Sequence, residues 1–139
     1  MNQFLPPQIG KKAFAMNGKN ALIDSNIIIY LSKQELSLDF IDKFDDLSIS
    51  VITYMEILGY EFQNQEEEKY IQELLELFRV LYIDKVIADT AINIRKKRKI
   101  KLPDAIIAAT AVSKDIHLIT RNIDDFKNTG VKLIDPFQI

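Results

Sequence analysis

Ala21-Leu22-Ile23-Asp24-Ser25-Asn26-Ile27-Ile28-Ile29-Tyr30-Leu31 is the stretch on which the reading of this chain turns. Its first three residues form a short apolar run of the kind a buried strand shows. Asp24 ends the run. Ser25 and Asn26 are helix-capping residues, and Asp24 is equally able to cap. Ile27 to Leu31 then continues as a buried helix. A carboxylate at such a junction sits among side chains that should be buried, where it is costly unless something positive neutralises it.

Outward from this junction the alternation repeats. Leu47-Ser48-Ile49-Ser50-Val51, Val80-Leu81-Tyr82-Ile83, His117-Leu118-Ile119-Thr120 and Val131-Lys132-Leu133-Ile134 read as strands. Helices are predicted from Leu36 to Phe44, Thr53 to Phe62, Gln65 to Phe78, Lys85 to Lys99, and from Pro103 through Val112. The third of these places Tyr70, Ile71, Leu74, Leu75 and Phe78 at helical spacing. Strands alternating with helices imply a parallel sheet covered on both faces. Ligands of such sheets bind beyond the carboxyl ends of the strands, where Asp24 and Thr120-Arg121-Asn122 fall.

The chain has 139 residues, a formal net charge of −2 and no cysteine. That length suits one domain able to bury roughly two-thirds of its unfolded surface. Without cysteine, disulfides and thiolate metal ligands are excluded, which fits a reducing cytoplasm. No stretch approaches the roughly 20 apolar residues of a membrane span, and Met1 to Asn20 lacks the pattern of a secretory signal. Met16-Asn17-Gly18-Lys19 reads as a second start.

Asp24 is not alone. Glu56, Asp104 and Asp125 also stand at predicted element boundaries. Each has a bland explanation: Asp24 as a cap, Glu56 as the partner of Thr53 in a capping box, Asp104 as a first-turn charge after Pro103, and Asp125 as a loop residue. Jointly these explanations weaken, because the sites point towards one end of the sheet. Carboxylates sharing a crevice repel each other by about 4 kcal/mol per pair at ~4 Å and an effective dielectric of ~20. A divalent cation removes that penalty.

The pieces Asp24-Ser25-Asn26-Ile27-Ile28-Ile29-Tyr30-Leu31, Thr53-Tyr54-Met55-Glu56-Ile57-Leu58, Leu102-Pro103-Asp104-Ala105-Ile106-Ile107-Ala108-Ala109-Thr110-Ala111 and Leu118-Ile119-Thr120-Arg121-Asn122-Ile123-Asp124-Asp125-Phe126 together resemble PIN domains, and most closely the VapC-like toxins of toxin–antitoxin pairs. The likeness covers about residues 20–137. It implies a three-layer α/β/α sandwich around a mostly parallel sheet. Residues 1–19 would then be an N-terminal extension without stable order, and 20–139 a PIN-like nuclease domain. By resemblance Asp24, Glu56 and Asp104 form the acidic triad that holds Mg2+ or Mn2+. Many relatives carry an Asp where this chain has Asn122. An amide oxygen still ligates, and Asp125, three residues on, restores the charge if that stretch makes one helical turn. Asn122 and Asp125 are therefore both assigned to the site, with Asp124 outside it.

The implied activity is a metal-dependent endoribonuclease that cleaves phosphodiester bonds by metal-activated water, the toxin half of a pair. The implied partners are RNA, a cognate antitoxin and a second copy of the chain, with no membrane. Cleavage through the 2′-hydroxyl would need side chains that exchange protons near neutral pH, and His117, opening an apolar strand, is the chain's one histidine. Arg95-Lys96-Lys97-Arg98-Lys99-Ile100-Lys101 is a charge run ending just before Asp104. A helix end accounts for two or three such residues. Six in seven, with Arg121, are expected to contact RNA phosphates. The alternatives are a PIN-like module that binds RNA without cutting it, motivated by Asn122, and a PIN nuclease of RNA maturation. A receiver domain or haloacid-type phosphatase would need further acids beside Asp24, and Asp24-Ser25-Asn26 has none.

Overall fold

The computed structural model describes residues 19–138. Residues 1–18 of the expected extension, with the second start at Met16, lie outside the described residues. Strands β1 (Asn20–Ile23), β2 (Asp46–Ser50), β3 (Arg79–Leu81), β4 (His117–Ile119) and β5 (Leu133–Ile134) form one sheet in the order β3-β2-β1-β4-β5. Every pair is parallel, so the sheet expected to be mostly parallel is wholly so. The helices are α1 (Ser25–Ser32), α2 (Val51–Leu58), α3 (Gln65–Leu75), α4 (Lys85–Lys97), α5 (Leu102–Lys114) and the single turn α6 (Ile123–Phe126).

The alternation of side chains along a strand explains the two cores. Ile23, Ile49 and Ile119 face one layer, where they pack with Ile27, Ile28 and Leu31 of α1 and Ile71, Leu74 and Leu75 of α3. Leu22 and Leu118 face the other, against Ile87 and Ala91 of α4 and the small residues of α5. Because both faces of β1 are covered, it reads as an unbroken apolar run rather than an alternating one. Ala105, Ala108, Ala109 and Ala111 are all fully buried, which lets α5 approach the sheet closely.

Several element bounds differ from expectation: the helix expected over Gln65 to Phe78 ends at Leu75, that over Lys85 to Lys99 ends at Lys97, and the strand expected over Val80 to Ile83 is Arg79–Leu81. The helix expected from Leu36 to Phe44 is a 3₁₀ segment over Leu38–Lys43, with Phe40 its buried side chain. So small an apolar face gives a full α-helix little to pack. The helix expected to begin at Thr53 starts at Val51, because the Ser50 hydroxyl accepts the Ile52 N–H at 3.1 Å and caps it. Thr53 is then an interior helical residue, fully buried, and the capping box with Glu56 does not form. That helix ends at Leu58 rather than Phe62. The Gly59 N–H closes onto the Met55 carbonyl at 2.8 Å, and a Cβ at Gly59 would lie 2.7 Å from that oxygen.

Candidate active site

β1 and β4 are neighbours, and the strand order runs away from them in both directions. The loops leaving such a pair part to opposite faces and open a crevice beyond their carboxyl ends. Asp24 leaves β1 and Thr120 leaves β4, with the Asp24 N–H still bonded to the Ile119 carbonyl at 3.0 Å. Asp24 Oδ2 accepts the Thr120 hydroxyl at 2.7 Å and Asn26 Nδ2 at 3.0 Å, and Oδ1 accepts the Ser25 N–H at 2.8 Å. A carboxylate has about four acceptor positions. Three are filled here, leaving one on Oδ1.

The holders are themselves held. Thr120 Oγ1 accepts the Asn122 N–H at 3.0 Å and Asn26 Nδ2 at 3.3 Å, while Asn26 Oδ1 accepts the Arg121 N–H at 3.3 Å. Asp24 is only 5% exposed. Burial pushes its carboxyl above the usual range, and the Asp104 and Glu56 charges push the same way, against the bonds from Thr120 and Ser25. Three good donors do not compensate for the burial and the neighbouring charge.

The other acids reach the crevice from separate elements. Glu56 is exposed on α2, and the Ser25 hydroxyl donates to its Oε1 at 3.1 Å, while Ser25 Oγ also lies 3.4 Å from Thr53 Oγ1. Asp104 lies in the first turn of α5 just after Pro103, and its N-cap, Lys101, makes no side-chain cap bond. Burial, then the charges of Asp125 and Glu56, push the Asp104 carboxyl up, and Lys101 pulls it down. Asp125 is carried by the single turn α6, where its N–H bonds the Asn122 carbonyl at 3.1 Å. Asn122 is exposed and caps α6 by position, without a side-chain bond. Asp124 turns to Lys127 at 2.8 Å, which lowers its pKa.

The acids thus lie within electrostatic reach of one another. Even so, among the described residues no three carboxylate or imidazole side chains are grouped tightly enough to hold one metal ion as they stand. Asp24 is locked. Asp104 is half-buried, and Glu56 and Asp125 are exposed, so these three are the side chains with room to turn inward.

Beside Asp104 and Asp125 opens a cleft of about 490 Å³, lined also by Arg95, Arg98, Lys99, Ile100 and Lys101. Four of the six basic residues in the charge run therefore front the acids, and Lys96 and Lys97 are exposed away from the lining. Arg95 Nε donates to the Ile100 carbonyl at 3.3 Å, while Arg98 Nε is buried with no hydrogen-bond partner among the described residues. Arg121 stands apart, its guanidinium over the rings of Phe137 and Tyr30. His117 begins β4, at the opposite end of the sheet, where burial and the charges of Lys132 and Lys19 keep its pKa low.

The profile of the PIN domain matches residues 21–132. The chain belongs to the PIN-domain family, whose members generally are nucleases and bind divalent metals. Within that family its likeness is to VapC-type domains. A chain of a toxin–antitoxin complex from Klebsiella pneumoniae is 35% identical, with TM-score 0.67, covering 86% of this chain and 99% of that one. A chain of VapBC-1 from nontypeable Haemophilus influenzae is 28% identical, with TM-score 0.72, covering 85% and 98%. A chain of FitAcB from Neisseria gonorrhoeae is 25% identical, with TM-score 0.71, covering 86% and 99%. No curated protein sequence matches it. No helix among the described residues is long and apolar enough to cross a membrane.

The neutral side chains that hold Asp24 do not stand out among the charged ones in the sequence. They are Thr120, at the end of a strand, and Asn26, an amide two residues after the acid, while the Ser25 hydroxyl serves Glu56 instead.

Proposed function

We propose that this chain is a metal-dependent endoribonuclease, the toxin of a toxin–antitoxin pair. One observation carries the reading: Asp24, Glu56, Asp104 and Asp125 share a switch point of the sheet, where burial and then their mutual charge raise the carboxyls of Asp24 and Asp104. The donor set fits a hard divalent cation: all oxygen, with no thiolate. Asp24 would offer the open position on Oδ1, joined by Asp104, Asp125 and the amide oxygen of Asn122, with Glu56 either a further ligand or the group that orients the attacking water. When bound, Mg2+ or Mn2+ supplies charge neutralisation and Lewis-acid polarisation at the phosphoryl oxygens.

The remaining roles belong to the chain's own groups. Ser25 orients Glu56 through Oε1, leaving the other oxygen to take a proton from the attacking water. Arg95, Arg98, Lys99 and Lys101 hold backbone phosphates leading to Asp104. Products would carry a 5′-phosphate and a 3′-hydroxyl. Tyr54, Met55, Tyr60, Tyr70 and Leu77 stay exposed while Ile57, Ile71 and Leu74 fill the core. That residual apolar surface is the place we assign to the cognate antitoxin and to a second copy of the chain.

Purified protein is expected to cut single-stranded RNA with added Mg2+ or Mn2+, and to stop in EDTA or on Asp104→Asn. Cutting that continues in EDTA would sink the reading. One observation favours a second reading, an RNA-binding module without catalysis: Asn122 brings no charge, and no three acids among the described residues are preassembled. Calorimetric titration separates the two. RNA binding without Mg2+ uptake or turnover supports the module.

A further inference from the structure

Arg121 contributes its backbone to the network around Asp24, and its side chain goes elsewhere. The guanidinium carbon lies 4.0 Å from the centroid of the Phe137 ring and 5.4 Å from that of Tyr30. The two rings meet edge to face, with centroids 5.0 Å apart and 76° between their planes. Arg121 is exposed and joins none of the ion pairs of the described residues. Tyr30 stands four residues after Asn26 on α1, so both lie on one helical face. The aromatic pair therefore begins about one helical pitch, ~5.4 Å, from the amide that grips Asp24.

A guanidinium is flat and has two faces. Phe137 lies 4.0 Å from the centre of this cationic plane and Tyr30 5.4 Å from it, while Arg121 as a residue stays exposed. Such a plane accepts a nucleobase by stacking, and it tolerates any of the bases because each has a π-face. The four basic residues of the 95–101 cleft differ in kind: they front an open crevice as point charges suited to phosphate. We propose that Arg121, braced by Phe137 and Tyr30, is a stacking shelf for one unpaired base of the RNA next to the cut. This rests on the ribonuclease reading above and reassigns Arg121 from phosphate to base. The bland alternative is a pin that fastens the C-terminal 3₁₀ turn, Pro136–Gln138, onto α1.

The test uses the full chain and a single-stranded RNA whose cut site is first mapped, then remade with an abasic residue at each nucleotide flanking the cut. One of these positions should raise KM for the unaltered protein roughly tenfold. Arg121→Ala should raise KM on intact RNA by a similar factor and show no further loss on that abasic RNA. Arg121→Lys, which keeps the charge without the plane, should behave like Arg121→Ala. Equal use of intact and abasic RNAs by the unaltered protein overturns the shelf, and so do losses that simply multiply. The abasic comparison needs no variant, so a poorly folding Arg121→Ala leaves it decisive. If the protein cuts RNA but ignores the missing base, only the shelf fails. If it cuts no RNA with either metal, the ribonuclease reading fails and takes the shelf with it.

Discussion

Asp24 is buried and gripped by donors from α1 and from the end of β4, whereas Asp104 and Asp125 stand on the rim of an open cleft among basic side chains. The same chemical group is thus used in two ways. Asp24 is a fixed point whose geometry is set before any ligand arrives, and it carries the desolvation that goes with this. Asp104 and Asp125 keep their freedom, and the Asp104 carboxyl is raised first by its partial burial and then by the charge of Asp125. On the reading proposed above, a site built half rigid and half free would set the position of an ion while letting RNA approach it. The contrast makes the two halves respond differently to the same substitution.

The largest effect should come from removing either charge. Asp24→Asn and Asp104→Asn are each expected to lower RNA cleavage by at least about a hundredfold, since several kcal/mol of charge stabilisation is removed. Stability without metal should part them. Asp104→Asn relieves repulsion and is expected to raise the midpoint of thermal unfolding by about 2–4 °C. Asp24→Asn turns an amide NH2 towards donors, so it should bring no such gain. Calorimetric melts of both in EDTA test the difference, and equal gains would erase the contrast.

Next in size is Thr120→Val, which leaves Asp24 one donor short and the Asn122 N–H without its acceptor. A drop of about 1–3 kcal/mol in urea unfolding is expected. Cleavage should fall about 10–100-fold, as when a partner that orients a metal ligand is removed. Unchanged activity would mean that Asp24 does not need its grip.

Charge removal in the cleft should act on affinity rather than turnover. Arg98→Ala or Lys99→Ala is expected to weaken RNA binding and to reduce the slope of log affinity against log salt by about 0.7 for each phosphate no longer neutralised. Fluorescence anisotropy over a salt series measures it, and an unaltered slope would place the strand elsewhere.

The smallest effect is a pH dependence whose sign follows from the raised carboxyls. In the native protein Asp24 and Asp104 bind protons more tightly than their ordinary value of 3.8. Between 3.8 and the raised values the folded state holds more protons than the unfolded chain, so stability falls as pH rises through that window. The contribution of these two groups is present below the ordinary value and lost above the raised ones. Metal-free protein should show this decline in thermal melts, and Mg2+ should raise the melting point at neutral pH but not near about pH 4, where the carboxyls take up protons. A Mg2+ effect of equal size at both pH values would contradict the assignment.

The sequence carried the layers well and the site in part. Ala21-Leu22-Ile23 and Leu118-Ile119 are strands buried on two faces, and such runs announce themselves. β3 and β5 are three and two residues long, and their ends are set by pairing with β2 and β4 rather than by any local signal. Ser50 took the cap from Thr53 because a hydroxyl nearly one turn earlier reached the Ile52 N–H, a competition that composition does not reveal. The acids were legible because charge among apolar residues is conspicuous. Thr120 and Asn26 were legible by position only, as a strand end and a capping residue, and their bonds to Asp24 were not, since neutral polar groups acquire meaning only from what they touch. Arg121 looked like any other basic residue until Phe137, sixteen positions later by sequence number, came to lie against it.

The hydroxyl that grips Asp24 is encoded 96 residues after it. During synthesis every nascent chain that stops short of Thr120 therefore lacks that grip. On the reading proposed above, the cell making this protein is spared until the last two strands emerge, and a partner that meets the chain at that moment arrives in time.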